Sequence, residues 1–265
     1  VVIPVHDLNP VRRTPWITYA LIAVNVVVFL RTPGVASISG GTSLDTLCHQ
    51  QAFVEHWGAV PRELIESRMP RLVPTGGVGV GAGGPGCLLG PPGYAKSPEL
   101  SVLTAMFVHS SWTHLLGNML FLLIFGNNIE DRLGRIRYLL FYLVCGYAAA
   151  YGFALADPSS TVPLIGASGA IAGVLGAYLV IFPRVPVWGL VPFLFFLPLR
   201  LPAWVVLGFW FVLQAFYSAG YGTSAAGTVA YLAHVVGFIL GALLAIPLRA
   251  GTPPPPTVRP VRRAR

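Results

Sequence analysis

Ser168 stands two residues after Gly166 and one before Gly169, inside an apolar run over residues 161–184. Glycine removes bulk, so another group can come close to that hydroxyl. The visitor is either a packed helix backbone or a base with a substrate. His234 lies in a second apolar run, where Ala233, Gly237, Gly241 and Ala245 recur every four residues. A serine hydroxyl is a weak nucleophile, and an imidazole within reach is what activates it. His114 and Asn118 form a third constellation, spaced i, i+4 and so sharing one helix face. An amide and an imidazole N–H aimed at one point could donate to a developing oxyanion.

Each feature has a plainer reading. Gly166, Gly169, Gly173 and Gly176 recur at spacings of three and four, and stripes of small residues let membrane helices approach closely. Taken alone, either stripe reads as packing. Asn118 alone reads as an interhelical hydrogen bond. His109 and His114 beside Trp112 read as residues of the headgroup interface, and for His109 that reading is adopted. Other chemistries fare worse. No His-Glu-x-x-His zinc motif occurs, no metal-ligand spacing joins the three cysteines, and no pair of aspartates falls in an apolar run. Neither the Ser168 run nor the His234 run holds an acidic residue, so the residues allow a dyad rather than a triad. A transporter would carry charges in its spans or unwound segments in two repeated halves, and neither is visible.

The elements that must position these groups are membrane spans. The 265 residues are 55% hydrophobic and 10% charged, with a mean hydropathy of +0.71. Soluble domains carry about 25% charged residues. The net charge of +8 comes from arginines at the ends of apolar runs, which argues against a nucleic-acid partner. Apolar runs predict six helical spans, at residues 16–30, 112–125, 138–156, 162–182, 202–217 and 229–248. The basic start of the chain lacks a cleavage-site pattern, so the first run reads as a retained span.

Residues 31–100 read as a large polar loop rich in glycine and proline, with one short helix near 61–67. Cys48 and Cys87 lie in it. In an oxidising compartment they could pair; two free thiols is the other reading. A polar turn is expected at 126–137. Residues 185–199, broken by Pro186, Pro192 and Pro198, read as interfacial rather than spanning. Residues 218–228 read as a small-residue loop. The basic, proline-rich tail over 249–265 reads as disordered.

With the N-terminus in the cytoplasm, twelve arginines fall inside and only four arginines and Lys96 outside, most of those in the long loop. That bias supports six spans with both termini inside. It also places Ser168 and His234 each about five residues from the outer end of a span, about 8 Å deep at the helical rise. Ionisable side chains at depth cost about 2.5 kcal/mol or more and so need a function. Packing the two small-residue stripes together would bring the hydroxyl to the imidazole. A separation beyond about 5 Å would count against the pair.

Four stretches together resemble the rhomboid family of intramembrane serine proteases. They are Gly166-Ala167-Ser168-Gly169; Ala233-His234-Val235-Val236-Gly237 with Gly241; His109-Ser110-Ser111-Trp112-Thr113-His114-Leu115-Leu116-Gly117-Asn118-Met119; and Glu130-Asp131-Arg132-Leu133-Gly134. The likeness covers residues 9–248 apart from the glycine/proline-rich loop. It implies an all-α membrane protein, a six-helix rhomboid-like bundle with a large extracytoplasmic loop between its first two helices. It also implies that Ser168 is the nucleophile and His234 the general base and acid. Asn118, His114 and the Ser168 backbone N–H would form the oxyanion hole. Family members often carry an aromatic ring four positions after the serine, packed on the imidazole; here Ala172 stands there.

The expected organisation is a cytoplasmic segment (1–15), a six-span catalytic domain (16–248) and a cytoplasmic tail (249–265), in a bacterial plasma membrane. The expected activity is a serine endopeptidase that cuts spans of single-span or polytopic membrane proteins near the outer face. Its partners would be those substrates and the bilayer, with no metal, cofactor or nucleic acid. The competing reading is a catalytically inactive relative that binds client spans.

Overall fold

The computed structural model describes residues 3–34, 43–81, 83–191, 197–220 and 230–248. The tail over 249–265, residues 221–229 of the expected small-residue loop, and Pro192 lie outside them.

A short strand, β1 (Ile3–Asp7), precedes the first apolar helix, α1 (Trp16–Arg31). The buried residues of α1 are Thr18, Leu21, Asn25 and Phe29, a stripe at spacings of three and four. Val24, Val27 and Leu30 on other faces are about half exposed. That distribution suits a helix with the bundle on one side and hydrocarbon on the other. Helix α5 (Trp112–Phe121) opens on Ser111, whose hydroxyl accepts from the His114 backbone N–H at 3.2 Å. The helix does not end where a polar turn was expected. It widens into a π-turn at Leu122–Gly126 and continues as α6 (Asn127–Leu133). Only at Gly134, with φ of 79°, does the chain break, before α7 (Arg135–Ala156).

Helix α8 (Ser168–Ile181) is the centre of the bundle. Residues 170–178 and Ile181 are all buried, so the helix is enclosed by neighbours on every side. Around it lie α7, α9 (Ala203–Ser218) and α10 (Tyr231–Ala245), the last running on through a single 3₁₀ turn, Ile246–Leu248. By length and composition, Arg135–Ala156 and Tyr231–Leu248 could each cross a membrane; Trp16–Arg31, Ser168–Ile181 and Ala203–Ser218 are shorter apolar helices.

Two regions correct the all-α expectation. The proline-broken segment forms no helix among its described residues. Strand β4 (Pro186–Val191) pairs antiparallel with β5 (Leu197–Pro202) and with β1, in the order β1-β4-β5. Prolines are tolerated there because Pro198 and Pro202 lie on the edge strand β5 and Pro186 is the first residue of β4. At the end of β1, the buried Asp7 Oδ2 accepts from the Tyr178 hydroxyl at 2.6 Å and from Asn128 Nδ2 at 2.9 Å. Burial pushes this carboxyl up from 3.8 to about 6, against the opposing pull of those donors.

The second correction is the expected loop, whose described residues form a folded layer. It holds α2 (Leu44–Trp57), α3 (Pro61–Glu66), the hairpin β2 (Val73–Gly81) and β3 (Gly84–Gly90), and α4 (Pro98–Ala105). The most glycine-rich part of the expected loop is that hairpin. A Cys48–Cys87 disulfide ties it to α2, with the two Cα atoms 5.2 Å apart. Below it, Lys96 Nζ lies 2.7 Å from Glu63 Oε2, both side chains 3% exposed, and donates to the Glu55 carbonyl.

Candidate active site

The start of α8 is set by the segment before it. Leu164 forms an antiparallel bridge with Ala59, and the Gly166 N–H donates to the Ala105 carbonyl at 2.8 Å. Gly166 has φ of +106°, a conformation that side-chain-bearing residues rarely adopt. The chain therefore enters extended, turns at Gly166, and only then becomes helical. Ser168 is the first residue of α8, not a turn or two inside a span as the apolar run suggested. The backbone N–H groups of Ser168, Gly169 and Ala170 have no acceptor within the helix by virtue of that position.

The glycines divide their labour. A Cβ at Gly169 would lie 2.6 Å from the Ala149 Cβ, and one at Gly173 would lie 2.5 Å from Cys145, so these two make room for α7. Their carbonyl oxygens face the other way. A Cβ at Gly237 would fall on the Gly169 carbonyl oxygen, and one at Gly241 on that of Gly173. Gly176 is similarly closed by the Phe238 carbonyl. Thus α8 and α10 meet backbone to backbone, as the stripes predict, while part of the α8 stripe serves α7 as well.

That contact delivers His234. Its Nε2 lies 2.7 Å from Ser168 Oγ, well inside the expected limit. The other ring nitrogen, Nδ1, lies 2.8 Å from the side-chain oxygen of Gln214 on α9. Ala172, where a ring was expected, is fully buried and faces Gly237 instead. Among the described residues, the ring nearest the imidazole from another helix is Trp210, its centroid 6.0 Å away and tilted by 32°.

His114 and Asn118 converge over Gly166. A Cβ there would lie 2.6 Å from His114 Nε2 and 3.6 Å from Asn118 Nδ2. Asn118 Nδ2 donates to His109 Nε2 at 2.9 Å, leaving its second N–H for another acceptor. His109 is fully buried in this contact, which corrects its reading as a headgroup residue. Its ring meets that of His114 edge-on, with centroids 4.9 Å apart.

A cavity of about 530 Å³ is lined by Ser168, His234, His114, Asn118, Gln214 and Trp210, among others. A smaller one of about 50 Å³ lies beside Ser168 among Ala105, Gly146, Ala149, Gly169 and Ala233. Among the described residues no group of three His, Cys, Asp or Glu side chains could hold a metal ion. The assembled groups are a hydroxyl, a base that can take its proton, and N–H donors nearby, which is the equipment for acyl transfer.

Two partners escaped the sequence reading, Gln214 and His109. The signal for Gln214 was present. An amide in an apolar run needs a partner by the same cost argument that singled out His234.

The family model described as the Rhomboid domain matches residues 99–251. The chain is 36% identical over 87 residues to "Putative rhomboid protease YdcA" of Bacillus subtilis (strain 168), covering 33% of this chain and 43% of that protein. It is 40% identical over 78 residues to RHOMBOID-like protein 6, mitochondrial, of Arabidopsis thaliana, covering 29% and 25%. Over a longer span of 150 residues it is 30% identical to Rhomboid protein 1, mitochondrial, of Saccharomyces cerevisiae, covering 55% and 40%. Each match spans less than half the length of the relative.

Proposed function

The chain belongs to the rhomboid family, is a multi-pass integral membrane protein built as a helical bundle, and from that premise we propose that it is an intramembrane serine endopeptidase. The observation that carries the reading is the 2.7 Å contact between Ser168 Oγ and His234 Nε2.

In this reading the Ser168 oxygen attacks the scissile carbonyl carbon while its proton passes to His234 Nε2. The carbonyl π electrons move onto oxygen. The Ser168 backbone N–H, Asn118 Nδ2 and His114 Nε2 are the donors that stabilise that oxyanion. The tetrahedral species collapses as the C–N bond breaks, and the amine nitrogen takes the proton from Nε2. A water then attacks the acyl-enzyme, again giving its proton to His234, and the second collapse returns that proton to Ser168 Oγ. The substrate is a membrane-protein span that unwinds locally, because a helix hides its carbonyls. Beside Ser168 it must present a small side chain, since the adjoining cavity offers only about 50 Å³.

Six spans underlie the proposal: α1, the α5–α6 run, α7, α8, α9 and α10. Residues 31–100 lie outside, and 1–15 and 249–265 lie in the cytoplasm of a bacterial cell whose plasma membrane holds the protein. The arginine bias supports that orientation.

The test is cleavage of a labelled single-span substrate by the detergent-solubilised chain. Wild type cleaves it, and Ser168→Ala and His234→Ala each lose about 10³-fold or more. A fluorophosphonate labels wild type at Ser168. An inert wild type would leave a client-binding relative as the better reading, and variants that still cleave would overturn the Ser168–His234 dyad.

A further inference from the structure

Gln214 is the only amide side chain in α9, a helix otherwise built from apolar and aromatic residues and one terminal serine. It is half-buried, lines the cavity, and places its side-chain oxygen 2.8 Å from His234 Nδ1. The resemblance gives it no role, and a dyad does not require it.

A neutral imidazole carries one proton, on one nitrogen or the other. To receive the Ser168 proton, Nε2 must be bare, so Nδ1 must hold the hydrogen. A ring with nothing on its Nδ1 side has no reason to prefer that tautomer and is free to turn. An amide oxygen at Nδ1 supplies the reason, because it accepts a hydrogen bond from Nδ1–H and accepts none from a bare nitrogen. The same bond survives when the ring becomes an imidazolium, and fixes the direction in which Nε2–H faces the leaving nitrogen. Trp210 sits one helical turn before Gln214 on the same face of α9, with its ring beside the imidazole. Trp210 and Gln214 thus both reach His234 from α9, while His114 faces the same cavity from α5.

We propose that Gln214 is a positioning residue for the dyad, the acceptor that holds His234 in its Nδ1–H tautomer and aims Nε2 at Ser168. The proposal rests on the dyad reading above. Because the acceptor is a neutral amide, it orients the ring without the charge that a carboxylate would add.

Three full-length proteins decide the matter: wild type, Gln214→Met and Gln214→Glu, each checked for folding by thermal unfolding in detergent. Selective ¹⁵N-histidine labelling reads the tautomer, with the His234 signals identified by their loss in His234→Gln. Wild type shows a protonated Nδ1 and bare Nε2, whereas Gln214→Met shows averaging between the two tautomers. In cleavage assays Gln214→Met loses about tenfold or more in kcat with KM within about twofold of wild type. Gln214→Glu recovers kcat at high pH, while the acid limb of its pH profile moves up by about one unit as the carboxylate favours the imidazolium. A folded Gln214→Met with wild-type kcat and an unchanged Nδ1–H signal overturns the proposal, as does a Gln214→Glu profile that superimposes on wild type. If wild type fails to cleave, the protease reading falls, and the nitrogen spectra still judge the Gln214 contact.

Discussion

Glu130 caps the first helix from far along the chain. Its Oε2 accepts from the Thr18 backbone N–H at 2.7 Å and from the Thr18 hydroxyl at 2.8 Å, and its Oε1 accepts from the Ile17 N–H at 3.0 Å. Helix α1 has no side-chain cap of its own, since Pro15 precedes it. A carboxylate at a helix N-terminus also meets the positive end of the helix dipole.

Glu130→Ala therefore strands two backbone donors and a hydroxyl in a buried place, at a cost of about 2–4 kcal/mol. Glu130→Gln keeps an acceptor oxygen and costs about 1 kcal/mol. Thermal unfolding in detergent ranks the two. Equal midpoints for Glu130→Ala and wild type would show that α1 does not depend on this cap.

The backbone contact between α8 and α10 leaves no room for a methyl. Gly237→Ala and Gly241→Ala each place a Cβ on a carbonyl oxygen that belongs to α8 itself. Backbone cannot give way as a side-chain tip can, so the helices must separate by about 1 Å. Such a displacement at a reacting pair costs about 10²-fold in rate. Both variants are expected to lose cleavage by about that factor or more and to unfold earlier. Gly208→Ala is the control, because a Cβ there meets nothing within 4 Å and the residue does not line the cavity. Full activity in Gly241→Ala would contradict the packing.

Asp7 makes stability depend on pH. Its folded carboxyl is raised to about 6 from 3.8, so between those values the folded state holds more proton than the unfolded one. The stability it contributes is present below about 3.8 and is lost as pH rises through about 6. Asp7→Asn keeps an oxygen for Tyr178 and Asn128 but cannot ionise. The difference in unfolding midpoint, variant minus wild type, should therefore grow from about pH 4 to about pH 7 in favour of the variant. A difference that stays constant over that window would show that Asp7 is not the titrating group.

The meeting of Ser168 with His234 was legible because membrane depth and small-residue spacing are strong constraints. Ser168 and His234 each stand alone as polar groups in apolar runs, and the glycines told which helices meet. Gln214 gave a fainter signal, a lone amide in an apolar run on a helix that holds neither the serine nor the histidine. The hairpin over residues 73–90 was illegible for a different reason. Gly77-Val78-Gly79-Val80-Gly81 does alternate with period two, but glycine is a poor strand former, and what holds the hairpin is a disulfide to a helix distant in sequence. The run from Gly126 to Leu133 was misjudged because Asn127, Asn128, Glu130 and Asp131 look like a turn. In the fold they are the inward and end-facing groups of a helix, satisfied by α1 and by Asp7. Ser168 was placed too deep in its helix because the apolar run begins before the turn at Gly166 does.

Helix α8 has 14 residues, which at the helical rise is about 21 Å, against a hydrocarbon thickness of about 30 Å. Enclosure by its neighbours frees it from matching the bilayer, and so it can afford to be short. In the proposed topology the missing length lies at the outer end, above Ser168. Backbone N–H groups exposed there cannot face lipid, so that topology requires a well of water over them, sunk into the outer leaflet. Under the proposed activity, hydrolysis takes place in that well, whose floor is the first turn of a truncated helix, and the bilayer's own thickness sets how far down the reaction lies.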